Sequence, residues 1–323
     1  MLVSIVTPSY NQAEYLDSTL RSVAGQDYPE IEHLVIDGGS SDGSMEIIQK
    51  HADQLAWWVS EGDSGQAEAI NKGMQRARGE IIAWLNSDDL YLPGAISSAV
   101  RVFQADPTLG MVYAEALSIN RRGRPFNRFR FGDWGLADFM SFRMICQPAV
   151  FMRRAAFEQA GPLAMDYHFM LDHHLWIRMA SVAQVKHVPA LWAAARYHPG
   201  AKNVRQAPEF GVETLCLLEW MQAQPALAEL FRRNRRMIKG GAYRLNARYL
   251  LDGEIYGEAL KSYLKALWFS PGYALRHAHR IAYAAACLAG GKRLADRFAK
   301  STPQQPFDTG CAEALQGWPG ISM

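Results

Sequence analysis

Two adjacent carboxylates, Asp88 and Asp89, follow Asn86 and Ser87 directly behind the short apolar run at 80–85. Like charges side by side repel in a packed site, and a hard divalent cation held through oxygen ligands relieves that repulsion. An ordinary Asp-rich turn between a strand and a helix is the other reading of the same four residues. Further polar groups gather in comparable positions: Pro8, Tyr10 and Asn11 behind the first apolar run, Asp37 and Asp42 behind the second, and Asp63 and Lys72 around a third loop. Rings, carboxylates and an ammonium group of this kind suit a base, a ribose and a diphosphate.

Residues 2–7 form a β-branched run stopped at Pro8, and apolar positions then recur at helical spacing over 14–24. A second run at 31–36 ends in Asp37-Gly38-Gly39-Ser40-Ser41-Asp42-Gly43-Ser44, with a helix expected from Met45. Strand-loop-helix units in tandem predict a parallel sheet, which gathers ligands at the carboxyl ends of its strands. A helix over 66–77 leads into the strand at 80–85, and strands are expected near 110–119 and 149–152. Between them the aromatic and basic stretch 121–134 has no clear period and reads as a long loop. From about residue 209 the pattern is almost wholly helical, so the boundary is placed near 205, giving domains over 1–205 and 206–323. Within the second, 245–271 resembles one tetratricopeptide-like hairpin, for which simple helix packing is the plainer account. The residues after Ser301 read as a loose terminus.

The chain has 323 residues, 49% hydrophobic and 20% charged, which excludes a disordered protein and a disulfide-stapled miniprotein. Cys146, Cys216, Cys287 and Cys311 lie far apart without a CxxC pair, so reduced thiols in a cytoplasmic compartment are expected. No secretory signal is read at the start, and the uncharged run 281–289 is far short of the ~20 residues that span a bilayer. Charge is uneven: residues 232–300 hold 15 Lys and Arg against 4 Asp and Glu, beside a net charge of +2 for the whole chain. A basic tail on an acidic body points toward an anionic surface for the tail.

On these residues the sequence resembles the family 2 glycosyltransferases of GT-A fold. The segment 3–11 looks like that family's opening strand and loop, 36–44 like its second, and 60–73 with 79–89 like the remainder of its nucleotide-sugar half. The resemblance implies an α/β fold with a Rossmann-like, mainly parallel sheet and a nucleotide pocket in which Tyr10 or Pro8 flanks the base and Asp37 accepts from it. Asn11, Asp63, Asn71, Lys72, Asn86 and Ser87 complete the donor contacts, and Asp88 and Asp89 hold Mn²⁺ or Mg²⁺ under the diphosphate. Two departures stand out: Asn86 replaces the first acid of the family's Asp-x-Asp, and Gly38 replaces a frequent second acid after Asp37.

The segment 171–178 resembles the family's Asp-x-Asp-Leu-Trp-x-Arg helix start, which makes Asp172 the general base; a helix cap is the alternative. His198, in 196–202, resembles a late Arg-x-His segment that folds over the diphosphate, and is expected as a metal or phosphate ligand. Gln147-Pro148 is similar to a segment on the acceptor side. His168, His173 and His174 have poor spacing for a helical zinc pair.

The implied activity is inverting, metal-dependent transfer of a sugar from a UDP-, dTDP- or GDP-linked donor to a hydroxyl on a carbohydrate or lipid-linked acceptor, as in cell-surface polysaccharide or glycolipid synthesis. The site would sit in the cytoplasm, with the basic tail able to touch the inner membrane face, and no nucleic-acid partner is expected. A noncatalytic nucleotide-sugar-binding module is the alternative from another class, to be separated by donor hydrolysis without acceptor. A nucleotidyltransferase is the other enzymatic reading, and the Pro8-Ser9-Tyr10-Asn11-Gln12 loop lacks the Gly, Arg and Lys which that chemistry places there.

Overall fold

A computed structural model describes residues 1–291, 315 and 317–322. Residues 292–300 of the basic tail, Cys311 and most of the segment after Ser301 lie outside the described residues. The chain divides into two compact units, the first of Met1–Gly135, Ile145–His198 and Phe307–Met323, the second of Leu136–Met144 and Pro199–Pro306.

The first unit begins with β1 (Val3–Ser9), α1 (Ala13–Ala24), β2 (Ile31–Asp37), α2 (Ser44–Lys50), β3 (Trp57–Ser60), α3 (Gln66–Arg76) and β4 (Ile81–Trp84). Then come β5 (Leu90–Tyr91), α4 (Ala95–Ala105), β6 (Leu109–Asn120) and β7 (Pro125–Phe129). After α5 (Leu136–Met140), which belongs to the second unit, follow β8 (Val150–Arg153), α6 (Arg154–Ala160), α7 (Leu171–Val182) and β9 (Gln184–Tyr197). Among the described residues nine strands form one sheet in the order β3-β2-β1-β4-β8-β6-β9-β5, with β7 on β6.

β1 is buried along its whole length because its neighbours β2 and β4 both run parallel to it and helices cover the faces. Helix α3 packs closely on this half: a Cβ at Gly73 would lie 2.4 Å from Val6 Cγ1, so only glycine admits the contact. Register aligns Ser9 with Asp37 and Asp37 with Ser60, which brings three polar loops to one edge. Past β4 the directions mix, β8 running antiparallel to β4 and β6, and β9 parallel to β6.

Two expectations are corrected. The stretch 121–134 is not one loop: Pro125–Phe129 is a strand antiparallel to β6, with Arg128 paired to Glu115 at 2.6 Å. Its apolar contacts come from rings rather than from alternation, Phe129 stacking on Phe131 and Phe131 meeting Trp134 edge-on, so no period of two is visible. The described C-terminal residues are docked rather than loose. Leu315 and Trp318 join the cluster of Leu90, Leu92, Leu117, Ile119 and Ala194, and the Trp318 indole N–H donates to the Tyr91 carbonyl at 2.7 Å.

The second unit is helical: α5, α8 (Lys202–Arg205), α9 (Ala207–Ala223), α10 (Ala228–Asp252), α11 (Tyr256–Phe269), α12 (Pro271–Ala274) and α13 (Ala278–Leu288). Tyr263, Ala247, Ala259 and Ala284 form its buried seam, small residues bringing α10, α11 and α13 close around one ring. Among the described residues no helix is long and apolar enough to cross a membrane.

Candidate active site

The turn 86–89 leaves β4 at the sheet edge and is fastened from behind. Thr19, buried in α1, donates its hydroxyl to the carbonyls of Ser87 and Asp89 at 2.9 and 2.8 Å. Arg196, at the end of β9, donates from Nε to the Asp88 carbonyl at 2.9 Å and from its backbone N–H to Asp89 Oδ1 at 2.9 Å. The rest of its guanidinium reaches the carbonyls of Asn120, Arg121 and Gly320 and lies 5.0 Å over the Tyr15 ring. The side chain is buried, which lowers its pKa, and each carbonyl it meets compensates the desolvated charge.

This framework separates the two carboxylates. Asp89 is buried, with its second oxygen taking an N–H of Asn86 at 3.3 Å, and burial, then the charge of Asp88, push its carboxyl well above the usual carboxylate range. Asp88 keeps 19% of its side chain exposed, and Oδ2 lies 3.0 Å from His198 Nε2. His198 is fixed by packing on the Tyr15 ring at 4.6 Å. On these supports the Asp88 carboxylate and the His198 imidazole are the groups that would hold a divalent ion. Among the described residues no three acidic, His or Cys side chains form a ready cage, so the fit needs the donor's oxygens as well.

Asn86 bridges this turn to its surroundings, taking an N–H of Gln66 at 2.7 Å and donating to Gln147 Oε1 at 3.2 Å, while Gln147 donates to the Trp84 carbonyl at 2.8 Å. Beside Gln147, burial and then the charges of Asp89 and Asp172 push the Cys146 thiol well above its ordinary value. Asp172 sits in the first turn of α7, whose N-cap position is Met170, and its Oδ1 accepts from the His173 N–H at 2.6 Å. Helix α7 is anchored by Trp176, stacked 5.2 Å from Trp84.

The remaining expected residues divide into groups that face the edge and groups used to build it. Tyr10 is 63% exposed, and Pro8 is buried beneath it in β1. Asn11, with φ of 51°, ties its loop to the next, its backbone N–H donating to Ser40 Oγ and its side-chain oxygen accepting from the Ser41 N–H. Asp42 performs the same service for Ala13 and Ser44. Lys72 is paired with Glu61 at 2.7 Å, which raises its pKa. Two expected donor contacts are engaged within the protein. Asn71 clasps the backbone of Leu163 with both ends of its amide at 2.9 Å, and Asp37 is fully buried with its carboxylate bonded to Ser40 of its own loop and to Ser60 at the end of β3. Thr19, Tyr15, Gln66 and Cys146 lack any signal in the sequence, whereas Arg196 is visible two residues before His198.

The family model described as "Glycosyl transferase family 2" matches residues 4–161, which carry the sheet edge and the 86–89 turn. This segment belongs to glycosyl transferase family 2. Among curated relatives, the putative teichuronic acid biosynthesis glycosyltransferase TuaG of Bacillus subtilis is 30% identical over 40% of this chain and 52% of its own. An uncharacterized glycosyltransferase of Nostoc is 33% identical over 35% of this chain and 36% of its own, so the chain spans about half or less of the length of these relatives. Among solved structures, S. aureus TarS 1–349 in complex with UDP-GlcNAc gives a TM-score of 0.62 at 17% identity, covering 95% of this chain and 94% of that one. A mannosyltransferase of Pyrobaculum calidifontis in complex with GDP-Man and Mn²⁺ gives 0.60 at 20% identity, covering 97% and 84%. At these identities the likeness concerns the fold, which is the GT-A arrangement of a curled central sheet flanked by helices.

Proposed function

We propose that this family 2 domain is an inverting glycosyltransferase that moves a sugar from a nucleoside diphosphate to a hydroxyl acceptor with the aid of Mn²⁺ or Mg²⁺. The observation that carries the reading is the Asp88–His198 pair at 3.0 Å on a turn braced by Thr19 and Arg196. Asp88 and His198 would hold the ion, with Asp89 bracing the turn beside them through the Arg196 N–H on Oδ1 and Asn86 on Oδ2. When bound, the ion neutralises charge that develops on the leaving diphosphate. Asp172 orients the acceptor hydroxyl and accepts its proton as the oxygen attacks the anomeric carbon. The new C–O bond forms on the face opposite the one that breaks, the electron pair leaves with the diphosphate, and one displacement inverts the centre.

The acceptor is a carbohydrate or lipid-linked hydroxyl in polysaccharide or glycolipid synthesis, met at the cytoplasmic face of a membrane. Supporting a peripheral contact, Leu264 and Trp268 of α11 are 56% and 83% exposed. Nearby, Lys265 lies 5.2 Å over Tyr243 and Lys239 lies 5.7 Å over Phe269, a mixture of rings and lysines suited to an anionic interface. Binding to anionic but not neutral vesicles, weakening with salt and on Trp268→Ala, is expected; equal recovery in the supernatant with both vesicle types removes the contact.

The central test is a thermal-shift screen of nucleotide-sugar donors with and without Mn²⁺, in which a donor at 100 times its Kd adds about 2.7 kcal/mol of stability. Incubation of a stabilising donor with candidate acceptors follows. Full turnover in excess EDTA would overturn the metal's role, and absence of transfer with every stabilising donor would leave a binding module.

A further inference from the structure

The loop after β2 shows which residue can read the base. Asp37 is fully buried, and its carboxylate accepts from the N–H groups of Gly39 and Ser40 at 3.1 and 2.8 Å and from the hydroxyls of Ser40 and Ser60 at 2.5 and 2.7 Å. Three of these donors sit on Oδ2 and one on Oδ1, and none of the residue is exposed, so the carboxylate is committed to building the loop. The next residue, Gly38, has no side chain, and its place is filled from elsewhere in the fold: a Cβ at Gly38 would lie 2.8 Å from Asp63 Oδ2 and 3.3 Å from Oδ1. The Asp63 carboxylate therefore rests on the backbone of residue 38. Its orientation is set by Oδ1, which accepts from the Gly65 N–H at 2.9 Å, while Oδ2 accepts no hydrogen bond among the described residues. Partial burial raises the pKa of this carboxyl, and an N–H donor directed at Oδ2 would offset that cost. The Gly38 N–H bonds to the Ser9 carbonyl at 2.8 Å, so the strand end that leads into the exposed Tyr10 ring lies alongside.

We propose that Asp63, admitted by the absence of a side chain at Gly38, is the specificity-determining residue for the donor's base, and that it selects a uracil or thymine ring by accepting its imide N–H. The assignment rests on the glycosyltransferase reading above. Uracil and thymine present one N–H between two carbonyls, which matches the single uncommitted oxygen. Cytosine places an acceptor at that ring position and meets the carboxylate with repulsion. Guanine presents two adjacent donors and is best matched by a carboxylate with both oxygens available, whereas Oδ1 is held by Gly65.

Calorimetric titration of the full chain with UDP, dTDP, CDP and GDP in the presence of Mn²⁺ tests this. UDP and dTDP should bind about tenfold or more tighter than CDP and GDP, the value of one charge-assisted hydrogen bond. Asp63→Ala should bring the four within about twofold of one another while Mn²⁺-dependent binding of the diphosphate persists, and Asp63→Asn, which keeps the shape, should narrow the gap to CDP. The exchange Gly38→Asp with Asp63→Gly should restore the preference by supplying the carboxylate from the other loop. An Asp63→Asn chain that melts like the unaltered one and keeps its full preference for UDP overturns the assignment, as does equal binding of all four by the unaltered chain. Failure of every diphosphate to bind overturns the glycosyltransferase reading together with it.

Discussion

Strands β1 to β4 run parallel, and each polar loop at their ends is bonded to its neighbour: Asn11 to Ser40 and Ser41, Asp42 to Ala13, Asp37 to Ser60. Strands β5 to β9 mix directions, and this half contributes Arg196 and His198 from one strand end, with Gln147 and Cys146 from the segment before β8 and Asp172 from a helix. In the first half, chain neighbours and register neighbours nearly coincide, so short segments contain whole sets of interacting residues. In the second, Arg196 binds carbonyls 75, 76, 108 and 124 residues away in sequence. The parallel half thus supplies a set of loops bonded to one another along one edge, and the mixed half supplies Arg196 and His198 to the 86–89 turn from distant segments.

The sharpest way to break that division is Asp172→Asn, which should lower turnover by roughly 10² to 10⁴ while leaving donor affinity and melting temperature close to those of the unaltered chain. A parallel loss of donor binding and stability would place Asp172 with the scaffold instead. Asp88→Ala acts at the joint between the halves. Removing the carboxylate that faces His198 should cost roughly 10² to 10³ in rate and abolish the response of donor binding to Mn²⁺, with the fold retained by circular dichroism. Retained Mn²⁺ dependence would move the ion to other ligands.

Arg196→Met tests whether the mixed half braces the turn as well as completing it. Four carbonyls in a part-buried setting lose their donor, and chemical denaturation should register a loss of roughly 1 to 3 kcal/mol together with weaker Mn²⁺-dependent donor binding. The last test belongs to the parallel half. Full burial lowers the His33 pKa to about 3, where its ring sits 2.9 Å from the Thr7 hydroxyl. A folded-state value below the unfolded one means that the unfolded chain binds the extra proton, so His33's contribution to stability is complete above about pH 6.5 and declines as pH falls toward 3. The slope from this one group is at most about 1.4 kcal/mol per pH unit, and His33→Gln should flatten the acid limb of a pH series of melting curves by that amount. Identical limbs for both proteins would assign the acid sensitivity to the carboxylates.

What the sequence determined by itself lies mostly in the first 90 residues. The β-branched runs, the Gly- and Asp-rich stops and the order of strand, loop and helix specify a parallel sheet and the edge at which ligands gather, because each of these signals acts between residues close in the chain. Asp88 is marked by the same local signals, and Asp172 and His198 by the resemblance of 171–178 and 196–202 to segments of the family. Only the tertiary structure decided how equivalent-looking residues divide their labour. Asp88 and Asp89 are adjacent and chemically identical, yet the N–H of Arg196, 107 residues onward, takes Asp89 into the framework and leaves Asp88 toward His198. Asn71 and Asp37, expected as ligand contacts, are bonded to Leu163 and Ser60, 92 and 23 residues away. A carboxylate's availability depends on how many of its oxygens the fold has already engaged, and those donors come from distant segments that no local pattern ties to it.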